Sequence, residues 1–140
     1  MNIKSLHHNF IMPAKSTDKA GAFDIYMPTP GSIFGTKPVM VGLGFSTAIP
    51  EGYAAFILPR SSTGAKHGVE LNNSLGLIDS DYRGEWKAAL RTKSGDNFSW
   101  DVGDRILQFI VVPVADITLQ LVDELDTTER GIEGFGSSGK

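Results

Sequence analysis

The 140-residue chain has no cysteine, so disulfides, thiolate metal ligands and a cysteine nucleophile are all excluded. It also has no excess of positive charge: thirteen Lys and Arg against sixteen Asp and Glu leave a net charge of -3. Non-specific grip on nucleic acid needs a broad basic surface, and this balance argues against such a partner. A compact anion site made from a few arginines and backbone amides stays open. Long apolar runs are missing too. The most apolar stretch, Ile106 to Val114, is interrupted by Gln108 and closed by Pro113, too short to cross a bilayer. Met1 to Phe10 has no continuous apolar stretch of the signal-peptide kind. The expectation is a cytoplasmic protein of one domain, without a membrane partner.

Helical periodicity is the next absence: no segment sustains it for three turns. Sixteen glycines and seven prolines instead punctuate short apolar runs, the pattern of an all-β chain. Val39, Val41, Leu43 and Phe45 alternate with smaller or more polar residues and predict a half-buried strand. Pro50-Glu51-Gly52 supplies turn chemistry, so a hairpin is expected with the strand from Tyr53 to Leu58. Trp86, Ala88 and Leu90 mark another strand, and Ile117, Leu119 and Leu121 a further one. Ile106 to Val112, apolar on both faces, predicts a central strand. One short helix is expected, with Ser61 or Ser62 as its cap, Thr63 to His67 as its turn and Gly68 as its end. From Asp126 onward apolar content nearly vanishes and glycines recur, which divides the chain into a β domain (1–125) and a mobile tail (126–140).

Five segments could carry chemistry. Pro59-Arg60-Ser61-Ser62-Thr63-Gly64 joins a strand end, a helix start, a cation and hydroxyls, all suited to phosphate oxygens. Taken alone, it reads more simply as a Ser-capped turn with a surface arginine. Gly76 to Glu85 carries Asp79, Asp81 and Glu85 just after an apolar run. Asp79 follows Leu77 and Ile78 directly, where a carboxylate can be aimed at a water as general base. An ordinary polar turn explains the same residues equally well. The tail from Arg130 to Gly139 combines a cation, serines, glycines and Phe135, a phosphate wrap with a ring to stack on a base, or a free chain end. Gly103-Asp104-Arg105 leads into the apolar strand, and Asp104 with Arg105 reads as a turn ion pair. Gln108 and Asp24 are polar residues inside apolar strands and require partners or a ligand. His7, His8 and His67 lack zinc-ligand spacing and read as surface residues.

Each signal is weak alone, but their order and spacing from Ala20 to Gly139 resemble the five motifs of the trimeric dUTPase family. The most specific pieces are Gly76 to Glu85 and Gly134-Phe135-Gly136-Ser137-Ser138-Gly139. The resemblance implies a distorted jelly-roll of the dUTPase-like β-clip type, assembled as a homotrimer with sites at subunit boundaries. It implies that Asp79 orients the attacking water and that Tyr82 packs under the deoxyribose. Asn73, together with backbone of the hairpin at Gly76 and Ile78, would read uracil. Arg60, Ser61, Ser62 and Gln108 would contact phosphates, and Asp24 would hold Mg2+ through water. In the tail, Phe135 would cover the uracil while Arg130, Gly136, Ser137 and Ser138 grip the γ-phosphate. Ser62, Ser138, Phe23 and Trp86 depart from the common pattern without removing a chemical role.

The reaction so implied is attack of water on the α-phosphorus of dUTP, releasing dUMP and pyrophosphate, by positioning and charge neutralisation. That reaction supplies dUMP and keeps uracil out of DNA. Two rivals share the fold. A dCTP deaminase would need a catalytic glutamate in place of the Asp79-Ser80-Asp81-Tyr82 arrangement and would lack the Phe135 tail. A non-catalytic β-sheet binding protein would have no reason to keep Asp79, Tyr82 and the tail together.

Overall fold

A computed structural model describes residues 1–132 and 134. The strands form as short pieces because glycines and prolines interrupt every apolar run. They are β1 (Asn2–Ser5), β2 (Phe23–Ile25), β3 (Gly31–Ile33), β4 (Val39–Gly42), β5 (Phe45–Ala48) and β6 (Tyr53–Pro59). After α1 (Ser61–His67) come β7 (Val69–Leu71), β8 (Gly76–Ile78), β9 (Lys87–Thr92), β10 (Phe98–Trp100) and β11 (Leu107–Pro113).

These strands wrap around one core as four small sheets: β2-β11-β6-β8, β4-β9-β7, and the pairs β1-β5 and β10-β3. β11 is central as expected, antiparallel to β2 on one side and to all seven residues of β6 on the other. Its two faces differ. Leu107 and Phe109 are buried, whereas Gln108, Ile110 and Val112 are only half-buried, opposite Leu58, Phe56 and Ala54 of β6. β9 also forms where the alternation placed it, with Ala88, Leu90 and Thr92 buried.

Trp86 fills the centre of the core. Its ring lies 5.0 Å from Phe45 and 5.1 Å from Phe109, the latter edge-on. Edge-to-face packing of this kind adds to the burial of so large a side chain. The departure from smaller residues at position 86 is thus absorbed as core volume.

Four expectations are corrected. The run from Val39 to Phe45 is two strands, because Gly44 turns the chain at φ +76. Nor do β5 and β6 form a hairpin: the turn at Pro50–Gly52 is there, yet β5 pairs with β1 while β6 pairs with β11 and β8. Ile117 to Val122 is not a strand; β11 ends at Pro113, and Ile117, Leu119 and Leu121 are 72, 93 and 99% exposed. A proline has no amide to continue the ladder, and the chain leaves its own sheets there. The helix cap differs as well. Arg60 occupies the N-cap position without a side-chain capping bond, so Ser61 and Ser62 are the first helical residues; Gly68 closes the helix in the left-handed conformation, as expected.

Candidate functional site

Two groups of the expected site residues are assembled by the fold. The first gathers around Asp24, in the middle of β2 and 5% exposed. Its Oδ1 lies 2.9 Å from Arg60 Nε and its Oδ2 accepts a bond of 3.2 Å from Arg105. A buried carboxylate needs such partners, because desolvation without them would be costly. The cluster is braced further. Arg60 donates to the Arg105 carbonyl at 3.1 Å, and the Arg60 amide donates to the carbonyl of Ile106. Gln108, directly across the ladder from Asp24, donates to the Pro59 carbonyl at 3.1 Å. The half-buried amide therefore has a protein partner on its donor side, which answers the question its place in an apolar strand raised.

Arg105 is the residue that sequence reasoning missed. It does not form a turn pair with Asp104, whose carboxylate instead accepts the Asp101 amide at 2.8 Å. The signal was present: a buried aspartate in β2 demands a cation, and Arg105 sits just before the strand that flanks β2. Beside these groups opens a cleft of about 410 Å³, lined among others by Arg60, Ser62, Thr63, His67, Phe98 and Arg105. Two guanidinium groups and a serine hydroxyl line it together with the Asp104 carboxylate, and the cationic donors suit phosphate oxygens. His67 and Ser61 are exposed, as is His8, while His7 is half-buried.

The second group surrounds the end of β8. Gly76 and Ile78 are buried and pair with Ile57 and Ala55 of β6, which anchors this edge strand to the sheet. Asp79, the next residue, emerges exposed. It lines an open cleft of about 600 Å³ with Glu51, Tyr53, Ala54, Val114 and Asp116. It also borders a smaller one, about 230 Å³, with Leu77, Tyr82 and Lys87. The turn after Asp79 is tied to itself: the Tyr82 amide donates to the Asp79 carbonyl at 3.2 Å, and Arg83 donates to the Ser80 carbonyl at 2.6 Å. Asn73 lies in the exposed loop before β8, where its side-chain amide donates to the Leu75 carbonyl at 2.9 Å. A carboxylate carried by an anchored strand end into open space is placed to orient a water.

The two groups do not meet within the chain. Ile78 pairs with Ala55 near the start of β6, which puts Asp79 level with Ala54, whereas Arg60 follows the far end of the same strand. Six strand residues span about 20 Å at roughly 3.3 Å per residue. The cleft beside Arg60 and the two beside Asp79 share no residue. Of the expected tail contacts, Arg130 is described and exposed, whereas Phe135, Gly136, Ser137 and Ser138 lie outside the described residues. No group of three or more His, Cys, Asp or Glu able to hold a metal occurs among the described residues. No helix there is long and apolar enough to cross a membrane.

Comparison with known proteins adds the family. The dUTPase family model matches residues 8–139. The deoxyuridine 5'-triphosphate nucleotidohydrolase of Nautilia profundicola is 39% identical over 140 residues, covering 100% of this chain and 99% of that protein. Its counterpart from Aeromonas hydrophila subsp. hydrophila is also 39% identical, over 92% of this chain and 87% of that one. Among solved structures, a point mutant of the Staphylococcus bacteriophage 80alpha dUTPase with dUpNHpp superposes with a TM-score of 0.91. It covers 99% of this chain and 98% of its own at 22% identity, a likeness of fold. The four-sheet wrap is thus the distorted jelly-roll that the family resemblance implied.

Proposed function

We propose, on the premise that this chain belongs to the dUTPase family, that it hydrolyses dUTP to dUMP and pyrophosphate. The observation that carries the reading is Asp79, held exposed at the anchored end of β8 beside Tyr82, in a chain that keeps the arginine cluster as well. Water oriented by Asp79 attacks the α-phosphorus in line, and pyrophosphate leaves. Tyr82 packs against the deoxyribose. Asn73 reads the uracil together with backbone at Gly76 and Ile78. Arg60, Ser61, Ser62 and Gln108 bind phosphate oxygens, and Arg105 joins them by holding the cluster on Asp24. The tail of residues 126–140 closes over the nucleotide, with Phe135 on the base and Arg130, Gly136, Ser137 and Ser138 on the γ-phosphate. Closure excludes water and completes the clamp. Substrate and product place the protein with the intracellular nucleotide pool.

Magnesium fits this arrangement as a companion of the substrate. Each Asp24 oxygen already faces one guanidinium, which leaves a lone pair on each for a water bound to the ion. Too few carboxylates converge among the described residues for a cage made by the protein alone, so the triphosphate would supply direct ligands. When bound, the ion neutralises charge that develops on the leaving pyrophosphate.

The working unit is a homotrimer. Asp79 and Arg60 are too far apart along β6 to act on one α-phosphorus from the same chain, so a complete site takes them from different copies. Leu119, Leu121 and Leu125, 93, 99 and 84% exposed, give the arm after Pro113 an apolar character that a neighbouring copy would cover. The half-buried outer face of Phe56, Leu58, Ile110 and Val112 offers a second contact between copies.

Pyrophosphate release from dUTP, dCTP and dTTP, measured side by side, tests the activity. Release from dUTP alone is expected. Ammonia release from dCTP would instead identify the deaminase of the same fold, and no turnover of any of them would leave a binding protein. Light scattering of the purified chain tests the trimer.

A further inference from the structure

Glu85 has no part in the mechanism above, yet it joins the Asp79–Tyr82 turn to the body of the protein at both of its ends. Its carbonyl accepts the Tyr82 hydroxyl at 3.0 Å. Its carboxylate reaches the opposite way and accepts the Gly44 amide at 3.0 Å. The next residue extends the lock, because the Trp86 amide donates to the Phe45 carbonyl and the Trp86 carbonyl accepts from Leu43, both at 2.9 Å.

Two glycines make room for this brace. A Cβ at Gly42 would lie 2.6 Å from Glu85 Oε1, so a larger residue there would make the carboxylate shift from this position. A Cβ at Gly84 would come within 2.6 Å of Tyr82 Cζ and would strike the hydroxyl. Gly84 has no left-handed backbone to explain it; what its missing side chain provides is a seat for the ring. Tyr82 is 43% exposed, so core packing alone does not hold it.

We propose that Glu85 is a positioning residue that fixes the Tyr82 ring on Gly84 and thereby sets the preference for deoxyribose over ribose. The inference rests on the dUTPase reading, in which the ring lies under the sugar. A ring held at a fixed height excludes a 2′-hydroxyl, whereas a ring free to tilt admits it. Loss of the Glu85–Gly44 bond leaves the peptide whose carbonyl holds the phenol with its Trp86–Phe45 bond but without its second anchor, and the Tyr82 end of the turn gains freedom to tilt.

The test is kcat/KM for dUTP and for UTP in the wild type, Glu85→Ala, Glu85→Gln and Gly84→Ala, with Tm measured on each. Glu85→Ala is expected to lower the dUTP-to-UTP ratio about fivefold, the equilibrium worth of one net hydrogen bond. Glu85→Gln keeps an oxygen for the Gly44 amide and restores the ratio to within about twofold of wild type on the same scale. Gly84→Ala leaves the Glu85 carboxylate in place but unseats the ring, and lowers the ratio even if Glu85→Ala fails to fold. A purely structural role would lower Tm and both activities together. An unchanged ratio in Glu85→Ala or in Gly84→Ala, with an active wild type, overturns the positioning role alone. A wild type that hydrolyses no dUTP overturns the dUTPase reading beneath it.

Discussion

Asp79 and Arg60 stand at opposite ends of one strand, β6, separated by six residues of extended chain. A strand cannot shorten, so the chain has no way to close this gap by itself. Mixing Asp79→Asn with Arg60→Ala protein, unfolding and refolding them together, is therefore expected to regenerate activity that neither parent has. In random trimers one half times one half, about a quarter of sites, take an intact Asp79 and an intact Arg60 from different copies. A site built within one chain would recover nothing.

Asp79→Asn is expected to lower turnover by about a hundred- to ten-thousandfold, the range for losing a positioned general base. The change is nearly isosteric, so titration with a non-hydrolysable dUTP analogue is expected to give a Kd close to wild type. A parental rate would remove Asp79 from the mechanism.

Asp24→Asn removes the charge that holds two arginines. Its partners are partly exposed, at 28 and 43% of their side chains, so the cost is below that of a fully buried pair. Urea unfolding is expected to show a loss of about 1–2 kcal/mol. The two guanidinium groups then lose their aim, and kcat/KM is expected to fall by more than about tenfold, beyond what lowered stability explains. Unchanged unfolding would mean that the ion pairs contribute nothing.

The end of the chain separates into two parts under truncation. Removing 126–140 is expected to leave Tm and assembly almost unchanged while turnover collapses, since the removed segment has few apolar residues to bury. Removing 114–140 also takes away Ile117, Leu119, Leu121 and Leu125, and is expected to yield monomers by light scattering. Trimers that persist without residues 114–140 would assign assembly to the outer sheet face instead.

Local chemistry was legible in the sequence wherever its cause was local. Ala88 and Leu90 share one face of β9, in step with the buried Trp86 just before it, because side chains alternate along any strand. Gly68 ends α1 because it takes the left-handed conformation at little cost. The exposed Asp79 after a buried Ile78 follows from the same alternation at a strand end.

Pairing was not legible, because a strand carries no local mark of its partner. The turn at Pro50–Gly52 was read correctly, yet β6 found β11 more than fifty residues later and β5 found β1 at the amino terminus. Arg105 was missed as the partner of Asp24 because the two are 81 residues apart and meet only when β11 lies beside β2. Residue types by themselves determined what each group could do: a carboxylate to aim water, arginines to hold phosphate, a ring to lie under a sugar. Which of these groups can reach one phosphorus was decided by tertiary structure alone, since register on β6 sets their separation and an extended backbone holds it.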